Sequence, residues 1–90
     1  MASVKVKVST AILEKKADIQ IEAHNVEGAL REMTERYGDK VKGRIFDGEG
    51  KLNKFLDIYV NGRNINLLNG LETALRDGDS ITILRVVSGG

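Results

Sequence analysis

An α+β domain, with a mixed sheet of about five strands and one main helix packed across it, is the fold this sequence predicts. Three observations predict it. Apolar residues alternate strictly with charged ones at the start, the spacing changes to that of a helix at Val26, and period two returns in the last third of the chain.

Taken in order, Val4, Val6 and Val8 alternate with Lys5 and Lys7, the pattern of a strand with one buried face. After a connection containing Glu14-Lys15-Lys16, Ile19, Ile21 and Ala23 alternate with Asp18, Gln20 and Glu22, and a hairpin is the economical pairing of the two runs. Val26, Ala29, Leu30, Met33 and Tyr37 then form one helical stripe, with Asn25 suited to cap its start and Gly38 to stop it. On the opposite face Glu27 precedes Arg31, and Glu32 precedes Arg36, by one helical turn, each pair contributing roughly 0.2–0.5 kcal/mol. Gly28 costs the helix about 1 kcal/mol relative to alanine, and close packing against the sheet is the expected reason for it.

Between Asp39 and Lys54, Val41, Ile45, Phe46 and Leu52 stand among Gly43, Gly48 and Gly50 without a clear period, and no element is assigned. Phe55 to Val60 reads as a strand, Asn61-Gly62 as a tight turn, and Arg63 to Ile65 as a short return strand. Leu67, Leu68, Leu71 and Leu75 are expected to cap the core through a helical turn. Arg76-Asp77-Gly78-Asp79 turns the chain into a last strand, Ser80 to Val87. Hairpin, helix, strands and final strand make a β-grasp order, in which the first and last strands lie parallel at the sheet centre. Residues 1–87 are the expected domain and 88–90 a flexible tail.

Ninety residues suit one domain without metals or crosslinks. Fourteen Lys and Arg against thirteen Asp and Glu leave a net charge of +1 with no basic block, which argues against nucleic-acid binding. The absence of cysteine excludes a disulfide framework and fits a reducing compartment. No run approaches the ~20 apolar residues of a membrane span and the start lacks a signal-peptide core, so a cytoplasmic location is expected. No metal site is expected: Asp77-Gly78-Asp79 reads as a turn, since oxygen-ligand sites need several convergent donors. His24 belongs at a strand-to-helix junction, and Gly48-Glu49-Gly50-Lys51 lacks phosphate-loop spacing.

The chain ends in Ser88-Gly89-Gly90. Glycine has no Cβ, so such an end can enter a narrow channel, and three extended residues reach roughly 10 Å. The Gly90 carboxylate is the candidate working group, presented by Val87, Ser88 and Gly89. Beside it, strand parity turns Ile81 and Ile83 toward the helix and Thr82, Leu84 and Val86 outward. Placing Leu56, Ile58 and Val60 inside puts Phe55, Asp57 and Tyr59 outside. Phe55, Tyr59, Leu84 and Val86 therefore form a candidate partner interface. Lys5, Lys7 and Arg85 are either solvated charges or partners for acidic groups on another protein.

Tyr59-Val60-Asn61-Gly62, Leu75-Arg76-Asp77-Gly78-Asp79, Ile81-Thr82-Ile83-Leu84 and the Ser88-Gly89-Gly90 end together resemble the MoaD and ThiS group of ubiquitin-like sulfur carriers. The likeness extends over essentially the whole chain and is greatest to the small subunit of molybdopterin synthase and its archaeal relatives. It implies a carrier rather than an enzyme. A ubiquitin-activating-like adenylyltransferase of the MoeB/ThiF type would use MgATP to adenylate Gly90, and sulfur would then displace AMP to leave a thiocarboxylate. The sulfur would be delivered inside a large subunit of the MoaE type, for molybdenum or tungsten cofactor biosynthesis. No cofactor would be bound by the chain itself. Arg85-Val86-Val87 stands where many such small subunits carry prolines, so the approach to the tail is less stiff. Protein modifiers that form isopeptide bonds, and thiazole or tRNA sulfur carriers, share the activation step.

Overall fold

The computed structural model describes residues 1–9, 12 and 17–85, and these form one sheet covered on one side by helices. Strand β1, Ala2–Val8, pairs antiparallel with β2, Ala17–Ala23, so that Val4 lies opposite Ile21 and Val6 opposite Ile19. This is the expected hairpin pairing. Its apolar residues all fall on one face because side chains alternate along a strand. Helix α1, Val26–Tyr37, lays Val26, Ala29, Leu30 and Met33 on that face. Tyr37, the last member of the stripe, is 40% exposed at the end of the helix.

Asn25 caps α1 as expected, its side-chain oxygen accepting from Gly28 N at 2.8 Å. The same contact accounts for Gly28, and corrects the expectation of sheet packing. A Cβ at residue 28 would sit 3.2 Å from Asn25 Oδ1, the capping atom, while the sheet residue Ala23 would be an ordinary 3.5 Å away. Gly38 stops the helix with φ +86°, and its N–H donates to the Thr34 carbonyl at 2.9 Å.

The unassigned stretch holds a second helix, α2, Asp39–Ile45, which buries Val41 and Ile45 at i and i+4. Two apolar positions are too few to define a period. Phe46 then bridges Leu52, and the Asp47 carboxylate accepts from the backbone of Glu49 and Lys51, making Gly48-Glu49-Gly50-Lys51 a turn.

Strand β3, Leu56–Val60, turns through Asn61-Gly62 into β4, Arg63–Asn64. Both turn residues have positive φ, 52° and 84°, the geometry that suits a two-residue hairpin. The return strand is shorter than expected. Ile65 begins a 3-10 turn, Ile65–Leu67, which is followed by another at Gly70–Glu72. Leu75 is buried, and Leu68 and Leu71 pack against the core, but Leu67 is 81% exposed. The expectation that Leu67 caps the core is thereby overturned: three-residue periodicity carries it to the outside of the turn.

Strand β5, Ser80–Arg85, enters between β1 and β3, giving the order β2-β1-β5-β3-β4. It is parallel to β1 and antiparallel to β3. Ile81 and Ile83 are fully buried in the middle of the core, each contributing about 1.5–3 kcal/mol. The β5 strand was expected to reach Val87; Val86 and Val87 lie outside the described residues.

Candidate functional site

The helices cover one face of the sheet, and the other is open. Across the open face the register sets Asp18 opposite Lys7, Lys7 beside Thr82, Thr82 opposite Tyr59, and Tyr59 opposite Asn64. A second row runs Gln20, Lys5 and Ser80. The β2–β1 half is thus charged and polar, with Lys5 and Lys7 exposed as expected.

The β5–β3 half is different. Leu84 is 42% exposed and stands directly opposite Asp57, while Phe55, 43% exposed, leads into β3 and Tyr59 is partly exposed further along it. Lys54 lies over the Phe55 ring, its Nζ 5.4 Å from the centroid. Because β3 and β5 are antiparallel, the start of β3 is next to the end of β5, and Leu56 pairs with Arg85. Of the four expected interface residues, Phe55 and Leu84 are therefore close to the end of β5, while Tyr59 lies further back on the same face, opposite Thr82. Val86, and the presentation and reactive residues Val87, Ser88, Gly89 and Gly90, lie outside the described residues. Arg85 is exposed even though it shares the parity of Ile83.

A set of polar contacts pins the opposite end of β5. Asp79 accepts from Asn61 Nδ2 at 2.9 Å and from the Arg76 N–H at 2.8 Å, and these bonds, that from Asn61 first, hold its carboxyl below the ordinary aspartate range. Ser80 N donates back to Asn61 Oδ1 at 2.9 Å. Asp77 accepts from Ser3 N at 2.7 Å, and the Asp79 carbonyl accepts from Lys5 N at 3.0 Å, so the same turn is tied to β1. Asp77-Gly78-Asp79 is the turn the sequence suggests, and no cluster of potential metal ligands occurs among the described residues. His24 is exposed at the β2–α1 junction, where its carbonyl accepts from Leu75 N.

Two features carried no signal in the sequence. One is the placement of Asp57 directly opposite Leu84, which depends on the pairing of β3 with β5. The other is a cleft on the helical side lined by Arg31, Thr34, Glu35, Lys42, Phe46 and Asp47, which requires α2 to be folded against α1. Arg31 is there paired with Glu27 at 2.9 Å and lies 6.0 Å from the centre of the Phe46 ring. Arg36 reaches β2 and donates to the Gln20 carbonyl at 3.1 Å.

A parallel β1–β5 pair at the centre of a five-stranded sheet, crossed by one long helix and open on the other side, defines a ubiquitin-like β-grasp protein. The chain belongs to the ThiS family, whose model matches residues 6–90. It is 32% identical over 88 residues, 98% of this chain and 99% of the relative, to a putative sulfur carrier protein of Archaeoglobus fulgidus. The solution structure of small archaeal modifier protein 1 from Methanosarcina acetivorans superposes with a TM-score of 0.84 at 35% identity, covering 100% of this chain and 98% of the other. CysO in the BexX/CysO complex of Amycolatopsis orientalis gives a TM-score of 0.74 at 29% identity, covering 94% and 99%. Carriers and modifiers thus surround this chain on both measures. No helix among the described residues is long and apolar enough to cross a membrane.

Proposed function

We propose that this chain is a sulfur carrier whose working group is the carboxylate of Gly90. Membership of the ThiS family over residues 6–90 carries this reading. The full-length similarity to a putative sulfur carrier supports it. An adenylyltransferase of the MoeB/ThiF type would join the carboxylate to AMP with release of pyrophosphate from MgATP. Sulfide-level sulfur from a separate donor would then attack the acyl carbon and expel AMP, leaving the thiocarboxylate. The chain provides no catalytic group. Its contribution is to hold β5 rigidly and offer Phe55, Tyr59, Leu84 and Val86 beside the tail as a docking surface, with Val87, Ser88 and Gly89 presenting Gly90.

The acceptor we propose is cofactor biosynthesis through a MoaE-type large subunit of molybdopterin synthase, in the cytoplasm. Its basis is the resemblance carried by Tyr59-Val60-Asn61-Gly62, Leu75 to Asp79 and the Ser88-Gly89-Gly90 end. A second reading, a modifier joined through Gly90 to lysines of other proteins, is favoured by the full-length likeness to small archaeal modifier protein 1.

Intact-mass measurement after incubation with the adenylyltransferase, MgATP and a sulfur donor tests the proposal. Exchange of one oxygen for sulfur at Gly90 is expected. If neither adenylate nor thiocarboxylate forms, the carrier reading is overturned, and lysine-linked conjugates in cells that depend on Gly90 would establish the modifier one.

A further inference from the structure

Asp57 is a carboxylate set into the apolar half of the open face. It stands directly opposite Leu84 in the β3–β5 ladder. Tyr59 follows it by two residues on the same side of β3, and Phe55 precedes it by two. Its side chain is partly buried, and no hydrogen bond or ion pair joins it to another described residue. The cation next in sequence, Lys54, is placed over the Phe55 ring, 5.4 Å from its centroid, so that ring already serves as a platform for positive charge.

In the free protein water can solvate this carboxylate. A partner covering Phe55, Tyr59 and Leu84 removes that water, and a dehydrated, unpaired carboxylate opposes association strongly. A surface that fits this face must therefore bring hydrogen-bond donors to Asp57, and a positive group compensates the lost hydration best. The surroundings select which one. Residues two apart on a strand are separated by about 7 Å, so the group would arrive flanked by two aromatic side chains with Leu84 beside it. A guanidinium is weakly hydrated, stacks on aromatic rings and pairs with a carboxylate through two parallel hydrogen bonds. An ammonium is compact and strongly hydrated, and loses more on entering such a site.

We propose that the activating adenylyltransferase docks on this face by presenting an arginine to Asp57, between Phe55 and Tyr59 and against Leu84. This rests on the reading of the open face as a docking surface, and deepens it from an apolar patch to an apolar patch with one defined charge partner. The pair acts as a selectivity device: an apolar surface without a cation at this position would leave Asp57 with no counter-charge.

The test uses the whole chain and the purified adenylyltransferase encoded in the same genome. Binding is titrated for the parent chain, Asp57→Asn, Asp57→Glu and Leu84→Asp, with unfolding curves showing that each variant is folded. Asp57→Asn should weaken binding about tenfold or more, with Asp57→Glu retaining part of the affinity. A dicarbonyl reagent selective for arginine should find one adenylyltransferase arginine protected by the parent chain and not by Asp57→Asn. If Leu84→Asp weakens binding while Asp57→Asn leaves it unchanged or tighter, or if no arginine is protected, the arginine pairing is overturned and the docking surface stands. If neither substitution changes affinity, the docking surface itself fails and the pairing with it.

Discussion

Asn61 and Asp79 lock the entrance of the central strand: Asn61 Nδ2 donates to Asp79 Oδ1 and Asn61 Oδ1 accepts from Ser80 N, each at 2.9 Å. The β3–β4 turn and the start of β5 are therefore one unit. Both bonds to the Asp79 side chain favour its ionised form, so its folded pKa lies below the unfolded one. A group of that kind stabilises fully above the unfolded value of about 3.9, and the contribution is lost as pH falls from there through the folded value. Urea unfolding between pH 6 and pH 3 should show an acid loss of stability that is smaller in Asp79→Asn. An identical pH profile for the two proteins would contradict this.

Leu84 and Ile83 are neighbours in sequence with opposite consequences. Leu84→Asp should lower the unfolding midpoint only modestly, because the side chain is already 42% exposed although the new carboxylate stands opposite Asp57, yet weaken adenylyltransferase binding by about tenfold or more. Calorimetric titration alongside thermal unfolding separates the two effects.

Ile83→Ala removes a fully buried side chain from the centre of the core and should cost about 2–5 kcal/mol in denaturant unfolding. Leu67→Ser, at a leucine 81% exposed, should change stability by no more than about 0.5 kcal/mol. Equal losses for the two would mean that the 3-10 turn is packed differently.

Asn25→Ala should cost about 1 kcal/mol through loss of the cap to Gly28 N. Amide exchange in the first turn of α1 should rise before exchange in β1 and β5 does, since a frayed helix end opens locally.

Gly62 at φ +84° follows Asn61 at +52°, and Gly62→Ala should cost about 1–2 kcal/mol with nothing within 4 Å of the added methyl. Chemical denaturation measures it, and the loss is assignable to backbone conformation alone.

How far the sequence could be read depended on how many apolar residues each element contributes. β1 and β2 buried alternate residues for their described length, and α1 carried four of its stripe residues into the core, so period alone placed them. α2 buried two residues, and the 3-10 turns after Asn64 hold one or none, which gave no period to detect. Of the candidate interface, Phe55, Tyr59 and Leu84 were legible because strand parity follows from buried Ile58 and Ile83. Asp57 was visible as an outward residue, but parity says nothing of which side chain on another strand it will meet.

The sequence by itself determined the strands, the main helix, its cap, the Asn61-Gly62 turn and the family to which the chain belongs, because each is written in residues close together along the chain. Tertiary structure decided the rest. Only the insertion of β5 between β1 and β3 sets Leu84 against Asp57, brings Arg85 beside Leu56 and lets Asn61 hold Asp79. Those contacts join residues far apart in the sequence, and long-range pairing is fixed by burying Ile81 and Ile83 in one shared core rather than by any local preference.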